Sequence, residues 1–194
     1  HNLQLWNALK VSENSLPYNM YLNFDKTIAA VILALAKGLL VGQPGLWGKR
    51  IVTQTAILTG GCIALIVPLA VVSGYVHFDP KFPDVFWMWA LNNLIFVCFA
   101  EEVIFRGVIQ NHFVQVASRW QISPTVPLML TALLFGLMHF QGGIAYIAFA
   151  TIAGLFYGYA YHRTGRLESA IAVHFLLNLC HFLLFTYPAA AIAN

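Results

Sequence analysis

The sequence predicts an all-α polytopic integral membrane protein of about six transmembrane helices around a polar cavity. Three observations carry that prediction. Hydrophobic residues make up 60% of the 194-residue chain and charged residues 9%, against about 25% charged in a soluble domain. Mean hydropathy is +0.74, so most of the chain has no place in water. The apolar residues fall into runs near the ~20 residues that cross a hydrocarbon core. Six such runs with short loops make 1–194 a single membrane-embedded domain.

Residues 1–26 are mixed and polar enough to form a flanking or interfacial segment. A short span follows over 27–41, with Lys37 close enough to its end to snorkel. "GQPG" at 42–45 and "GKR" at 48–50 mark a loop, and 51–76 is a second span with Pro68 as a kink. "HFDPKFPD" at 77–84 is a loop, and Trp87 and Trp89 beyond it form an aromatic belt. Residues 85–117 read as one long helix. At ~1.5 Å per residue it reaches ~50 Å, more than the ~30 Å core, so it projects beyond the bilayer at its Arg106–Arg119 end. Spans at 124–139 and 144–161 flank a Gly142–Gly143 break; "HRTGR" at 162–166 is a loop, and 167–187 closes the bundle. "GLLVG" at 38–42 and "GLFYG" at 154–158 fit the small-residue spacing of packed membrane helices. Cys62, Cys98 and Cys180 lie inside apolar runs and read as small buried hydrophobes, not a disulfide framework.

A net charge of +3 is too weak for a nucleic-acid surface. It does orient the chain. Lys49, Arg50, Arg119, Arg163 and Arg166 fall on one side of a six-span count, and Lys10, Lys26 and Lys81 on the other, mixed with Glu13, Asp25, Asp79 and Asp84. The excess of cations marks the first side as cytoplasmic. Both termini then lie outside.

Of the seven acids, only Glu101 and Glu102 fall deep in a predicted span. A charge there costs at least ~2.5–3.5 kcal/mol on insertion scales, which makes it a functional hypothesis by default. Glu102 and Arg106 stand four apart on one helix face, the acid N-terminal as favoured, and read as a structural ion pair. Glu101 lies ~140° around the helix from Arg106 and has no partner within its own segment. His139 ends the run "FGLMH", one turn after Phe135. His174, Asn178 and His181 recur as a polar stripe on the last helix. A lone membrane histidine is as readily a packing residue as a functional one. Two histidines, a polar stripe and a free glutamate on three helices instead point to one shared site.

The residue census excludes several intramembrane protease designs. No HExxH run exists, all three Asp residues lie in flanks or loops, and "VVSG" at 71–74 lacks the first glycine of a GxSG site. Glu, His, His and Asn remain. A carboxylate and an imidazole can orient and deprotonate water, while a second imidazole and an amide stabilise an oxyanion. A proton or ion pathway would also use buried Glu and His, but would call for more acids along its route.

"EEVIFR" (Glu101, Glu102, Arg106), "FGLMH" (Phe135, His139) and "HFLLN" (His174, Asn178) resemble, in order, the EExxxR, FxxxH and HxxxN motifs of the CAAX-protease and bacteriocin-processing (CPBP, or Abi) intramembrane proteases, which include type II CAAX prenyl endopeptidases. The resemblance spans 101–178, within a catalytic core of 85–187; residues 1–83 carry none. It implies a glutamate-dependent endopeptidase. Glu101 and His139 would activate water, His174 and Asn178 would hold the oxyanion, and the Glu102–Arg106 pair would shape the site. No cofactor is implied, with zinc held by Glu101, His139 and His174 as the alternative. A non-catalytic or immunity-type member of the family is the rival reading. The implied partners are membrane lipid and a peptide or lipidated-protein substrate, in a bacterial or archaeal plasma membrane. On the charge-based topology His139 lies at the far end of its span from the cytoplasmic loop, which places the break at 140–143 partly inside the bilayer.

Overall fold

The computed structural model describes residues 2–39 and 48–191. The loop expected at 42–45, the end of the first span and the last three positions of the "GLLVG" run lie outside these residues. The chain is an all-α helical membrane protein with a small antiparallel hairpin ahead of its helices. Strands β1 (Leu3–Leu9) and β2 (Tyr18–Leu22) pair with Leu3 opposite Leu22 and Leu9 opposite Tyr18, with two irregularities between. The segment expected only to flank the helices thus has a fold of its own. Met20 of β2 is wholly buried with Trp89 and Phe182, whose rings stack 3.9 Å apart.

Helix α1 (Phe24–Ala36) is short and stops before Lys37. Gly38 adopts a positive φ of 65°, and the Leu39 N–H turns back to the Ala34 carbonyl at 2.9 Å, a glycine-closed helix end. "GLLVG" therefore does not begin on a helix. Helix α2 (Lys49–Val72) carries Pro68 inside it. Helix α3 is continuous over Phe86–Arg119, close to the expected 85–117. Helix α4 (Thr125–Leu137) runs into a one-turn 3₁₀ segment (Phe140–Gly142), then come α5 (Gly143–Thr164) and α6 (Leu167–Leu184). Gly143, at φ 82°, lets the chain turn between α4 and α5.

Among the described residues, four helices are long and apolar enough to cross a membrane: α2, α3, α5 with the turn before it, and α6. Helix α4 is apolar but shorter. Outward-facing Ile57, Leu65, Leu133 and Leu137 are exposed, as suits a surface solvated by lipid tails. The interior is built from small residues. Ala150, Ala153, Ala160 and Ala170 pack with Cys62, Tyr157 and Val173 between α2, α5 and α6, and Ala30 and Ala34 of α1 meet Ala100 and Val103 of α3. At Gly136 the approach of α5 is so close that a β-carbon would fall 1.9 Å from the Thr151 hydroxyl.

Candidate active site

The site begins on α3, which is not α-helical throughout. Asn93–Phe99 and Val103–Gln110 wind as π-helix, and the three residues between them, Ala100–Glu102, carry both glutamates. Such wide turns are rare and often mark functional positions. They leave Asn93, Val97 and Glu101, four apart, on the wall of one cavity. Glu102, the next residue, points into the packed interior.

Glu102 and Arg106 are both wholly buried, with Oε2 3.0 Å from Nε. The contact is one of charge more than of an aligned N–H. The remaining partners come from neighbouring helices. Arg106 Nη2 donates to the Gly154 carbonyl at 2.9 Å, and its guanidinium stands 4.8 Å from the Phe135 ring centroid. Glu102 Oε1 accepts from His174 Nδ1 at 2.8 Å. A buried ion pair is costly unless further bonds satisfy it; these bonds serve Glu102 Oε1 and Arg106 Nη2, while Glu102 Oε2 and Arg106 Nε meet through charge alone and Nη1 has no hydrogen-bond partner among the described residues. Gly154 and Gly158 of "GLFYG" open the way: one carbonyl takes Arg106, the other takes Gln110 Nε2 at 3.0 Å.

Glu101 is not the unpartnered acid that spacing along its own helix suggests. Lys26, on the first turn of α1, reaches Glu101 Oε1 at 2.9 Å. The partner lies 75 positions earlier in the chain, where a helical count cannot find it. Glu101 Oε2 is buried and has no hydrogen-bond partner among the described residues, so one carboxylate oxygen holds Lys26 while the other is free to accept.

His139 follows the C-terminus of α4, where its Nδ1 donates to the Phe135 carbonyl at 2.7 Å. A carbonyl only accepts, so Nδ1 carries a proton, which leaves Nε2 as the ring nitrogen that can carry a free lone pair. His174 is fixed the same way through Glu102, and its ring stacks on Tyr157 at 4.5 Å. Asn178, one turn further on α6, donates from Nδ2 to Asn93 Oδ1 at 3.2 Å. Cys98 Sγ lies 3.3 Å from that same oxygen.

Glu101, His139, His174 and Asn178 line a single cavity of about 720 Å³, together with His181, Tyr146 and Tyr157. Glu102 and Arg106 do not line it; they lie behind His174. Four neighbours escaped the sequence reading: Lys26, Asn93, Cys98 and Tyr157. Asn93 had a signal, since "NN" at 92–93 is a polar pair within an apolar run, as the glutamates are. Cys98 is more than a small hydrophobe because it sits in the Asn93–Asn178 network. Among the described residues no three His, Cys, Asp or Glu side chains are grouped to hold a metal, so the alternative of zinc on Glu101, His139 and His174 finds no ligand cluster.

No curated protein and no solved structure matches the chain. A family model described as "Type II CAAX prenyl endopeptidase Rce1-like" matches residues 83–180, just over half of the sequence and all three motifs. The chain belongs to this family of Rce1-like membrane endopeptidases.

Proposed function

We propose that the protein is an intramembrane endopeptidase that hydrolyses a peptide bond in a membrane-associated polypeptide, by a glutamate-dependent mechanism without a metal. Family membership supports a protease in general. One observation carries the finer reading: α3, the turn after α4, and α6 bring Glu101, His139, His174 and Asn178 to the lining of one cavity.

A water accepted by Glu101 Oε2 and His139 Nε2 would have its lone pair aimed at a bound carbonyl. As its oxygen attacks the carbonyl carbon, its proton passes to that pair; such positioned bases contribute about 10²–10⁴-fold. The tetrahedral oxyanion takes a hydrogen bond from the Asn178 amide and one from His174 Nε2 in its doubly protonated form, with Glu102 as counter-ion. When the C–N bond breaks, the stored proton goes to the leaving amine. Lys26 offsets the cost of an ionised carboxylate at Glu101, and Glu102 with Arg106 holds the His174 ring in place.

The test is cleavage of quenched peptides by the purified protein in detergent. Wild type should cleave, and Glu101→Gln should not. Equal cleavage by both would remove Glu101 from the chemistry. No cleavage by a well-folded wild type, across a varied peptide set, would favour the non-catalytic reading.

A further inference from the structure

The two ends of the bundle differ in charge, and the cavity belongs to one of them. Among the described residues the lining runs from the hairpin end to the middle of the bundle: Leu16 to Asn23, the last turns of α2 and the loop after it, the first half of α3, the end of α4 and the turn beyond, α5 as far as Tyr157, and α6 from His174 onward with the segment after it. At the opposite end stand Lys37 after α1, Lys49 and Arg50 opening α2, Arg119 closing α3, Arg163 near the end of α5 and Arg166 before α6. Those six cations are accompanied by one acid, Glu168. The hairpin end holds Lys10, Lys26 and Lys81 with four acids, Glu13, Asp25, Asp79 and Asp84. Short loops rich in Lys and Arg stay in the cytoplasm.

The lining has its own chemistry. Tyr18, Tyr21, Tyr75, Tyr146 and Tyr187 surround the site residues, and Glu101 is the only Asp, Glu, Lys or Arg among the lining residues. A charge brought into this cavity would lose water and meet groups that already have partners, Glu101 with Lys26 and His174 with Glu102, so an uncharged stretch of chain fits it best.

We infer that the cavity opens on the extracytoplasmic face of the membrane and takes an uncharged, apolar segment of an exported or outward-facing polypeptide. This rests on the peptidase reading for what happens to the substrate, but the side of entry stands on the charges and the lining alone. A substrate confined to the cytosol, lipidated or not, would meet the cationic end of the bundle, where Arg106 and Gln110 are buried against α5.

The test uses the full chain in intact cells and a membrane-impermeant maleimide. Leu16→Cys places a thiol at an exposed lining position, and Arg163→Cys places one at the cationic end; the parent chain, with Cys62, Cys98 and Cys180, gives the background. Leu16→Cys should label in intact cells, and Arg163→Cys only after permeabilisation. In a second arm, right-side-out vesicles should cleave an externally added apolar quenched peptide without detergent, and inside-out vesicles should require detergent. A reversed labelling pattern, or cleavage only by inside-out vesicles, overturns the inference. Either result leaves Glu101-dependent cleavage in detergent untouched. Conversely, loss of that cleavage with the expected labelling would sink the peptidase reading and leave the sidedness standing.

Discussion

Two neighbouring levels of the same helix show how one bundle separates stability from chemistry. At the level of Glu102 and Arg106 the protein is dry and closed: both side chains are fully buried, and His174, Gly154 and the Phe135 ring surround them. One residue earlier, at Glu101, the helix faces the cavity, and the carboxylate keeps one oxygen without a partner. The residue type is identical and the sequence positions are adjacent. What differs is the set of neighbouring groups: a cation or an imidazole stands against each oxygen of Glu102, whereas the second oxygen of Glu101 has no hydrogen-bond partner among the described residues and its side chain lines the cavity. The first is expected to act as scaffold and the second as reagent.

Substitutions at each level should break that comparison apart. The largest effect is expected at Glu101. Glu101→Gln should lower kcat by about 10²–10⁴-fold, while the melting temperature stays near that of the wild type. A collapse of the fold with retained specific activity in the folded fraction would show that the two roles have been assigned in reverse. Glu102→Ala comes next and should fail on both counts. Removing one partner of a buried ion pair costs about 3–5 kcal/mol, so thermal unfolding should drop together with activity, through the loss of support to His174. Unchanged stability in that variant would place Glu102 on the reactive side. Asn178→Ala should lower kcat by about 10²–10³-fold with little change in KM, as expected when a donor acts on the oxyanion and not on the bound substrate. A rise in KM at constant kcat would instead make Asn178 a binding residue.

Two smaller predictions sharpen the contrast, one in the loop after α2 and one in the cavity. The Ser12 hydroxyl bonds to the Asp79 carboxyl and Lys81 stands 3.2 Å away, which holds Asp79 below the ordinary carboxylate pKa. A group lowered in the folded state stabilises the fold above its unfolded pKa and loses that contribution as pH falls through the folded value. Wild type should therefore show a modest drop in Tm below about pH 4, and Asp79→Asn a shallower one; superimposable acid profiles would show that the contact contributes nothing. The smallest expected effect is none at all. Purified protein should carry sub-stoichiometric metal and keep its activity through prolonged chelation, because its site residues form no ligand cluster and an amide is a poor zinc ligand. Inactivation by a chelator, reversed by one equivalent of zinc, would overturn the metal-free mechanism but not the protease assignment.

The helices were legible in the sequence to within a few residues because span length is set by the bilayer and the turn residues are local. The Glu102–Arg106 pair was legible for the same reason, being one turn long. The bonds that distinguish the two glutamates were not. Lys26 meets Glu101 across 75 positions and His174 meets Glu102 across 72, distances over which periodicity carries no information. The hairpin at 3–22 escaped because its strands are short, irregular in register and packed on helix side chains such as Trp89. The π turns of α3 escaped as well: their apolar residues read equally well on an ordinary helical period, and only the hydrogen-bonding pattern tells the two apart.

Lys26 lies upstream of the matched segment 83–180, on a helix with no motif of its own. The family-defining stretch therefore carries an acid whose counter-charge is encoded elsewhere. A chimera that grafted residues 83–180 onto a foreign amino-terminal half would transplant every motif residue and still arrive with Glu101 stripped of its ammonium partner. Restoring a lysine at the equivalent turn of the foreign first helix is the one-residue repair that the geometry prescribes.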